Sequence, residues 1–204
     1  VACGTGLEDH YLKKTFQVTG IDLHEGMLEI ARQRNPDITY LTGDMRTFRL
    51  KSRFNIITCF DAMCYLKNYT ELRRTLGNFK RHLVRGGLLI FYLDPVFLEE
   101  HHKQNTIVIN KKRKKGICLT LIEIYRRRGR TIEGNTAYII QDTRETRLET
   151  DSFETLGFFN VKRIAQMLQS LGFRVHLYSG GKNLTFTLKG YTEHSPYPVF
   201  VCVK

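Results

Sequence analysis

The first six residues, Val1-Ala2-Cys3-Gly4-Thr5-Gly6, and Asp22 in Gly20-Ile21-Asp22-Leu23 narrow the folds open to this 204-residue chain more than any other feature. An apolar residue running into small residues and two glycines reads as a strand end turning sharply, because glycine lets backbone approach a bulky ligand without steric cost. A carboxylate at the end of the next strand could then accept hydrogen bonds from both hydroxyls of a ribose lying on that turn. A dinucleotide-binding Gly-x-Gly-x-x-Gly turn would need glycine at position 9, for close helix packing. Asp9 stands there instead, and its carboxylate would compete with a pyrophosphate for the helix N-terminus. Taken alone, the hexapeptide is a modest signal that also fits an ordinary tight turn, so the order of the following segments has to strengthen it.

Those segments alternate as a parallel α/β sheet requires. Gln17 to Asp22 reads as a short strand and Glu25 to Arg34 as a helix, with Met27, Leu28, Ile30 and Ala31 on one side and Pro36 beyond its end. Ile38 to Leu41 is the next strand, leading into Thr42-Gly43-Asp44-Met45-Arg46. Phe54 to Phe60 is a continuous apolar run of the kind buried on both faces. Asn68, with Glu71 three residues on, opens a helix whose core face is Tyr69, Leu72, Leu76, Phe79 and Leu83. Gly86-Gly87 is expected to end it, and Leu88 to Leu93 to form a further strand.

The array Ala-Cys-Gly-Thr-Gly, Ile-Asp-Leu, Gly-Asp-Met, buried strand and Gly-Gly-strand resembles the class I S-adenosylmethionine-dependent methyltransferases. Ala2, Gly4 and Gly6 match their first motif, acidic-x-(Gly/Ala)-x-Gly-x-Gly. The resemblance implies a Rossmann-like α/β fold with a mostly parallel seven-stranded sheet and S-adenosylmethionine as cofactor, leaving as S-adenosylhomocysteine. It implies cofactor contacts at Ala2, Cys3, Gly4, Thr5, Gly6, Asp22, Leu23, Met27, Asp44, Met45, Phe60 and Asp61. Asp44 also fits a common Gly-Asp turn. In this family a central strand and an acidic residue precede the glycine turn, so an N-terminally truncated domain with its first strand largely missing is expected. The Asn/Asp-Pro-Pro-aromatic motif that often marks nucleic-acid-base methyltransferases is absent after Phe60.

Residues 95 to 150 read as an antiparallel β insertion after the fifth strand, with strands at Asn105 to Asn110, Ile117 to Tyr125, Thr136 to Gln141 and Arg144 to Glu149. Asn160 then caps a helix stopped by Gly172, and Phe173 to Tyr178 and Val199 to Val203 supply the last strands of a single domain spanning residues 1–204. This layout resembles the N-methyltransferases that act on amino groups of sugar nucleotides. From Lys103 to Arg130 the insertion carries +9 of the chain's +12 formal charge, which suggests an anionic partner such as a nucleotide-linked substrate, RNA or an acidic protein. Lys111–Lys115 and Arg126–Arg130 flank a strand of nine residues, which at about 3.3 Å each separates them by roughly 30 Å. They form two clusters at turns, and at most one is expected at the substrate mouth.

Methyl transfer from a sulfonium is an in-line displacement in which the protein chiefly aligns the reactants, and an amine acceptor must lose a proton before it attacks. His101 and His102, just after the fifth strand, are candidate catalytic residues, with Tyr65 and Asp61 on the adjacent loop; the two histidines fit an exposed helix end as well. The five cysteines are odd in number, lack Cys-x-x-Cys spacing, and read as reduced thiols, with no metal site expected. No run approaches roughly 18 apolar residues and no basic-then-apolar leader is visible, so a cytoplasmic location without a membrane partner is expected. The expected function is methyl transfer to a small-molecule amine, in an anionic or nucleotide-linked form as one option, by a chain that could also form oligomers. The rival readings are an RNA or protein methyltransferase using the basic insertion, with nucleic acid the less favoured partner, and a non-catalytic cofactor-binding module.

Overall fold

The computed structural model describes residues 1–94, 97–98, 105–129, 131–180, 186–190 and 197–204. After the glycine turn come α1 (Leu7–Leu12), β1 (Thr19–Asp22), α2 (Glu25–Arg34) and β2 (Thr39–Thr42), with β1 and β2 paired in parallel. Helix α2 exists because Leu28 and Ala31, one turn apart, bury fully against Ile38 and Tyr40. Next follow β3 (Phe54–Cys59), a 3-10 turn at Met63–Tyr65, α3 (Tyr69–His82) and β4 (Leu83–Tyr92), the two strands again parallel.

Residues 1–3 join these two units. The Val1 nitrogen donates to Thr58 O at 2.8 Å on one side, and Cys3 N–H donates to Ile21 O at 3.1 Å on the other. Residues 1–3 therefore lie between β1 and β3. Across the sheet the order is β2, β1, residues 1–3, β3 and β4, and the chain reverses its progress between residues 1–3 and β3. Such a reversal opens a crevice at the carboxyl ends of the strands, the place where α/β sheets bind ligands.

Helix α3 is capped as its sequence predicts: Asn68 Oδ1 accepts Glu71 N–H at 3.0 Å, and the Glu71 carboxylate accepts Lys67 N–H at 2.9 Å. Its end differs from the expectation. The helix stops at His82, and Gly86 and Gly87 lie inside β4, where Gly86 N–H donates to Lys204 O and Lys204 N–H to Gly87 O, each at 2.9 Å. Leu83 turns extended because its side chain is fully buried in the core, so packing ends the helix before glycine can. The core centres on Phe91 and Phe200, stacked at 4.6 Å, with Phe79, Leu89, Cys59 and Cys202 around them.

The insertion is a separate antiparallel sheet of β5 (Asn105–Lys114), β6 (Ile117–Arg128), β7 (Thr131–Gln141) and β8 (Thr146–Gly157), paired in that order. Its strands outrun the sequence expectation because the ladder continues through charged residues, pairing Lys112 with Leu119 and Arg127 with Ile132. The sheet is fastened to the main domain by a second buried cluster of Cys64, Phe97, Tyr125, Ile132, Leu156 and Phe158. Its outer face leaves Ile107, Ile109, Ile124 and Leu148 exposed.

Helix α4 (Val161–Ser170) begins where Asn160 Oδ1 accepts Arg163 N–H at 3.0 Å and ends before Gly172, at φ +80°. Strands β9 (Arg174–Gly180), β10 (Phe186–Gly190) and β11 (Tyr197–Val203) complete the sheet, with β11 antiparallel between β4 and β9. Strand β10 was not anticipated from sequence. Among the described residues no helix is long and apolar enough to cross a membrane.

Candidate active site

The glycine turn is held from two directions. Gly4 N–H donates to Asp22 Oδ2 at 2.8 Å, while the other carboxylate oxygen accepts His24 N–H at 3.0 Å. Asp22 is almost fully buried, and each oxygen keeps a further lone pair for a ligand hydroxyl. Both glycines adopt left-handed backbone, with φ +51° at Gly4 and +66° at Gly6, but for different reasons. A side chain at Gly6 would strike Tyr40 Oη at 2.5 Å, whereas one at Gly4 would project into open space. Gly6 thus serves packing and Gly4 faces the crevice.

Along the carboxyl edge of the sheet the residues after each strand come in the order Asp44 (after β2), Leu23 (after β1), Gly4, Phe60-Asp61 (after β3) and Asp94 (after β4). Four strand spacings of about 4.8 Å put the ends of this row roughly 19 Å apart, room for an extended nucleoside with an amino-acid arm. Leu23 and Met27 stand exposed beside Asp22, 56% and 46% accessible, an apolar surface that a purine ring could cover. Ala2, at φ +52°, Cys3 and Thr5 belong to the turn itself, and Thr5 takes a hydrogen bond from Arg34. These features fit an adenosyl cofactor. Asp44 is less available: both its oxygens accept from Arg46 Nε at 3.0 Å, and Arg46 also bridges to Glu71 at 3.1 Å. That guanidinium holds the Asp44 carboxyl below its usual range. Met45 packs against the main core, and its carbonyl accepts from Asn78.

At the other end of the row a cavity of about 440 Å³ opens between the main sheet and the insertion. Its walls include Asp61, Tyr65, Asp94 and Tyr197 from the main domain, and Val108, Asn110, Glu123 and Tyr125 from β5 and β6. In a chain of net charge +12, the described residues around it are three carboxylates and no Lys or Arg. Asp61 has left-handed backbone, φ +51°, and its side chain is exposed at the cavity wall. Partial desolvation there, followed by the charges of Asp94, Glu123 and Glu8, pushes its carboxyl up to about 6. Tyr125 Oη donates to Glu123 Oε1 at 2.8 Å. Burial raises the Tyr65 phenol to about 12, so at neutral pH it is a neutral donor. Phe60 stacks on Tyr92 at 5.7 Å, next to this group.

The structure thus brings Gly4, Asp22, Leu23, Met27, Phe60, Asp61 and Tyr65 to one edge. His101 and His102 lie outside the described residues. Sequence reasoning missed Glu123, Tyr125 and Tyr197. Glu123 was visible as the sole acid in a basic stretch, but its direction depends on strand register. The five cysteines are free thiols, four of them buried, and among the described residues no group of side chains has metal-binding geometry.

Residues 1–87 match a family model described as a methyltransferase domain. The chain is 28% identical over 183 residues to dTDP-3-amino-3,4,6-trideoxy-alpha-D-glucopyranose N,N-dimethyltransferase of Streptomyces venezuelae, covering 89% of this chain and 76% of that protein. It is 29% identical to dTDP-4-amino-2,3,4,6-tetradeoxy-D-glucose N,N-dimethyltransferase of Saccharopolyspora spinosa, covering 90% and 73%. Among solved structures, Streptomyces venezuelae DesVI superposes with a TM-score of 0.83 at 27% identity, covering 99% of this chain and 80% of that one. CalS10, a calicheamicin-pathway amino pentose methyltransferase from Micromonospora echinaspora solved with S-adenosylmethionine bound, superposes at 0.82 with 24% identity, covering 99% and 80%. With the glycine turn, the Asp22 contact and the strand order already in place, the chain has the α/β fold of the class I S-adenosylmethionine-dependent methyltransferases, and its residues 1–87 match a methyltransferase domain.

Proposed function

We propose that the chain transfers methyl groups to the amino group of a nucleotide-linked amino sugar. The observation that carries this is the sign of the cavity: an anionic pocket in a strongly cationic protein suits an acceptor that arrives as an ammonium ion. The printed activities of the relatives, on dTDP-linked amino sugars, supply the rest of the acceptor.

In this reading Asp22 accepts the ribose hydroxyls, Leu23 and Met27 cover the adenine, and Gly4 lets the cofactor lie against the backbone. Asp44 belongs to the adenine end through the backbone of its turn, since Arg46 occupies its carboxylate. When bound, S-adenosylmethionine supplies a sulfonium methyl group with a neutral thioether as leaving group. Asp61, Asp94 and Glu123 hold the ammonium by charge, and the Tyr65 hydroxyl orients the sugar. Asp61, with a carboxyl near 6, is ionised at neutral pH and takes the proton that the ammonium must release before its lone pair attacks. Tyr125 fixes Glu123 through its hydrogen bond, which keeps that carboxylate aimed at the cavity. Free and mostly buried thiols support a cytoplasmic location for this activity.

Incubation with methyl-labelled S-adenosylmethionine and a set of dTDP-linked amino sugars tests the proposal. Label on the sugar nitrogen is expected. Label found instead in RNA or protein from a matched extract would overturn it.

A further inference from the structure

We infer that the pocket-facing side of the β5–β6 hairpin, with Lys112 at its centre, receives the phosphorylated, anionic part of the acceptor. This rests on the amino-sugar reading above and adds a second, oppositely charged subsite to it.

The cavity has a closed end and an open one. Beyond Tyr125 it is sealed by the buried cluster of Phe97, Ile132, Leu156 and Phe158. In the other direction the lining runs along β5 from Val108 to Asn110, and the rest of that strand, Lys111 to Lys114, is exposed. Side chains alternate along a strand, so Lys112 and Lys114 share the face of Val108 and Asn110, while Lys111 and Arg113 share the outer face with Ile107 and Ile109. Val108 pairs directly with Glu123, which fixes the cationic end of the ligand at that level. Four residues at about 3.3 Å put Lys112 roughly 13 Å further out. An acceptor with an ammonium at one end and a diphosphate at the other can therefore enter in one orientation only, amine first.

The second basic cluster is not positioned for this work. Arg127 lies 4.5 Å over the Phe158 ring behind the closed end, and Arg128 is paired with Glu133 at 3.0 Å. Among the described residues Lys112 has no ion-pair partner. Arg126 falls on the outer face of β6, so among the described residues of the two runs the lysine hairpin is the part that is both uncommitted and on the approach to the cavity.

The test compares Lys112→Glu with Lys111→Glu, which makes the same change of net charge on the opposite face of the strand. Each is assayed with dTDP-3-amino-3,6-dideoxyglucose and with the methyl glycoside of the same amino sugar, which lacks phosphates. Lys112→Glu is expected to raise KM for the dTDP-linked sugar by about tenfold, with kcat and the methyl glycoside little affected. Lys111→Glu should change neither. Equal effects of the two variants, or an equal effect of Lys112→Glu on both acceptors, would overturn the inference. Failure of the unmodified protein to methylate either amine would instead overturn the acceptor reading on which it stands.

Discussion

Replacing each of the two turn glycines by alanine should separate folding from cofactor binding within three residues. Both residues have positive φ, so either substitution places an L side chain in left-handed backbone at a cost of about 1–2 kcal/mol. At Gly4 that is the whole cost to the fold, because nothing lies within 4 Å of the added carbon. At Gly6 the new methyl meets Tyr40 Oη at 2.5 Å, Asn35 Nδ2 at 3.0 Å and Ala31 Cβ at 3.1 Å. Asn35 cannot retreat freely, since it donates to Gly6 O at 2.8 Å and to Tyr40 Oη at 3.0 Å, so overpacking adds about 1–3 kcal/mol. A domain of this size loses about 2–4 °C of Tm per kcal/mol. Thermal denaturation should then show a fall of about 2–8 °C for Gly4→Ala and about 4–20 °C for Gly6→Ala. Calorimetric titration with S-adenosylhomocysteine should reverse the ranking per unit of stability lost: Gly4→Ala, folded, binds at least about tenfold more weakly, because its methyl occupies the crevice. A folded Gly4→Ala protein with unchanged affinity would refute the placement of the cofactor on this turn.

Three further measurements bear on the site and the fold. The rate constant kcat/KM should rise with pH through about 6 as Asp61 ionises, and the step should vanish in Asp61→Asn. The same shift has a stability consequence with a fixed sign. The folded carboxyl titrates above its ordinary 3.8, so the folded chain holds the proton more tightly, and stability declines as pH rises from about 4 to about 6; a Tm difference between Asp61→Asn and the parent that does not grow across that window would contradict it. Asn160→Ala removes the acceptor of Arg163 N–H and should cost about 1 kcal/mol, or about 2–4 °C, without altering cofactor affinity. Single-turnover methylation by His101→Ala and His102→Ala asks whether either histidine shares the proton with Asp61; undiminished rates in both would leave the carboxylate as the base.

Much of the fold was legible because local and long-range preferences agree there. Helix α2 buries Leu28 and Ala31 from its own apolar stripe and stops before Pro36, and β3 is apolar enough to enter the core, where it buries Ile57 and Cys59. The reading failed where the two disagree. Gly86-Gly87 has the chemistry of a helix stop, yet Leu83 is drawn into the core three residues earlier and the glycines become part of a strand pairing with Lys204. Strand β10 is short and gains its pairing only from β9.

The cofactor edge could be read from sequence because its residues follow strand ends in chain order, each announced by glycine or by a carboxylate after an apolar run. The acceptor cavity could not, because its charge is decided by register. Counting residues from Lys103 to Arg130 gives a strongly basic insertion, and an anionic ligand is the natural inference. In the folded sheet Lys111 and Arg113 turn to the outer face, Arg127 is spent on Phe158, and the one acid of the stretch, Glu123, faces Asp61 and Asp94 across the cavity. A shift of β6 by one residue would send Glu123 outward and bring Ile124 in, with no change in composition. The register is held by Tyr125 and Ile132, whose burial against Phe97 and Phe158 leaves the strand a single depth of insertion. The same apolar cluster that closes the cavity therefore also sets its sign, so a Tyr125 substitution that loosens the cluster should weaken amine selection even though Tyr125 itself carries no charge.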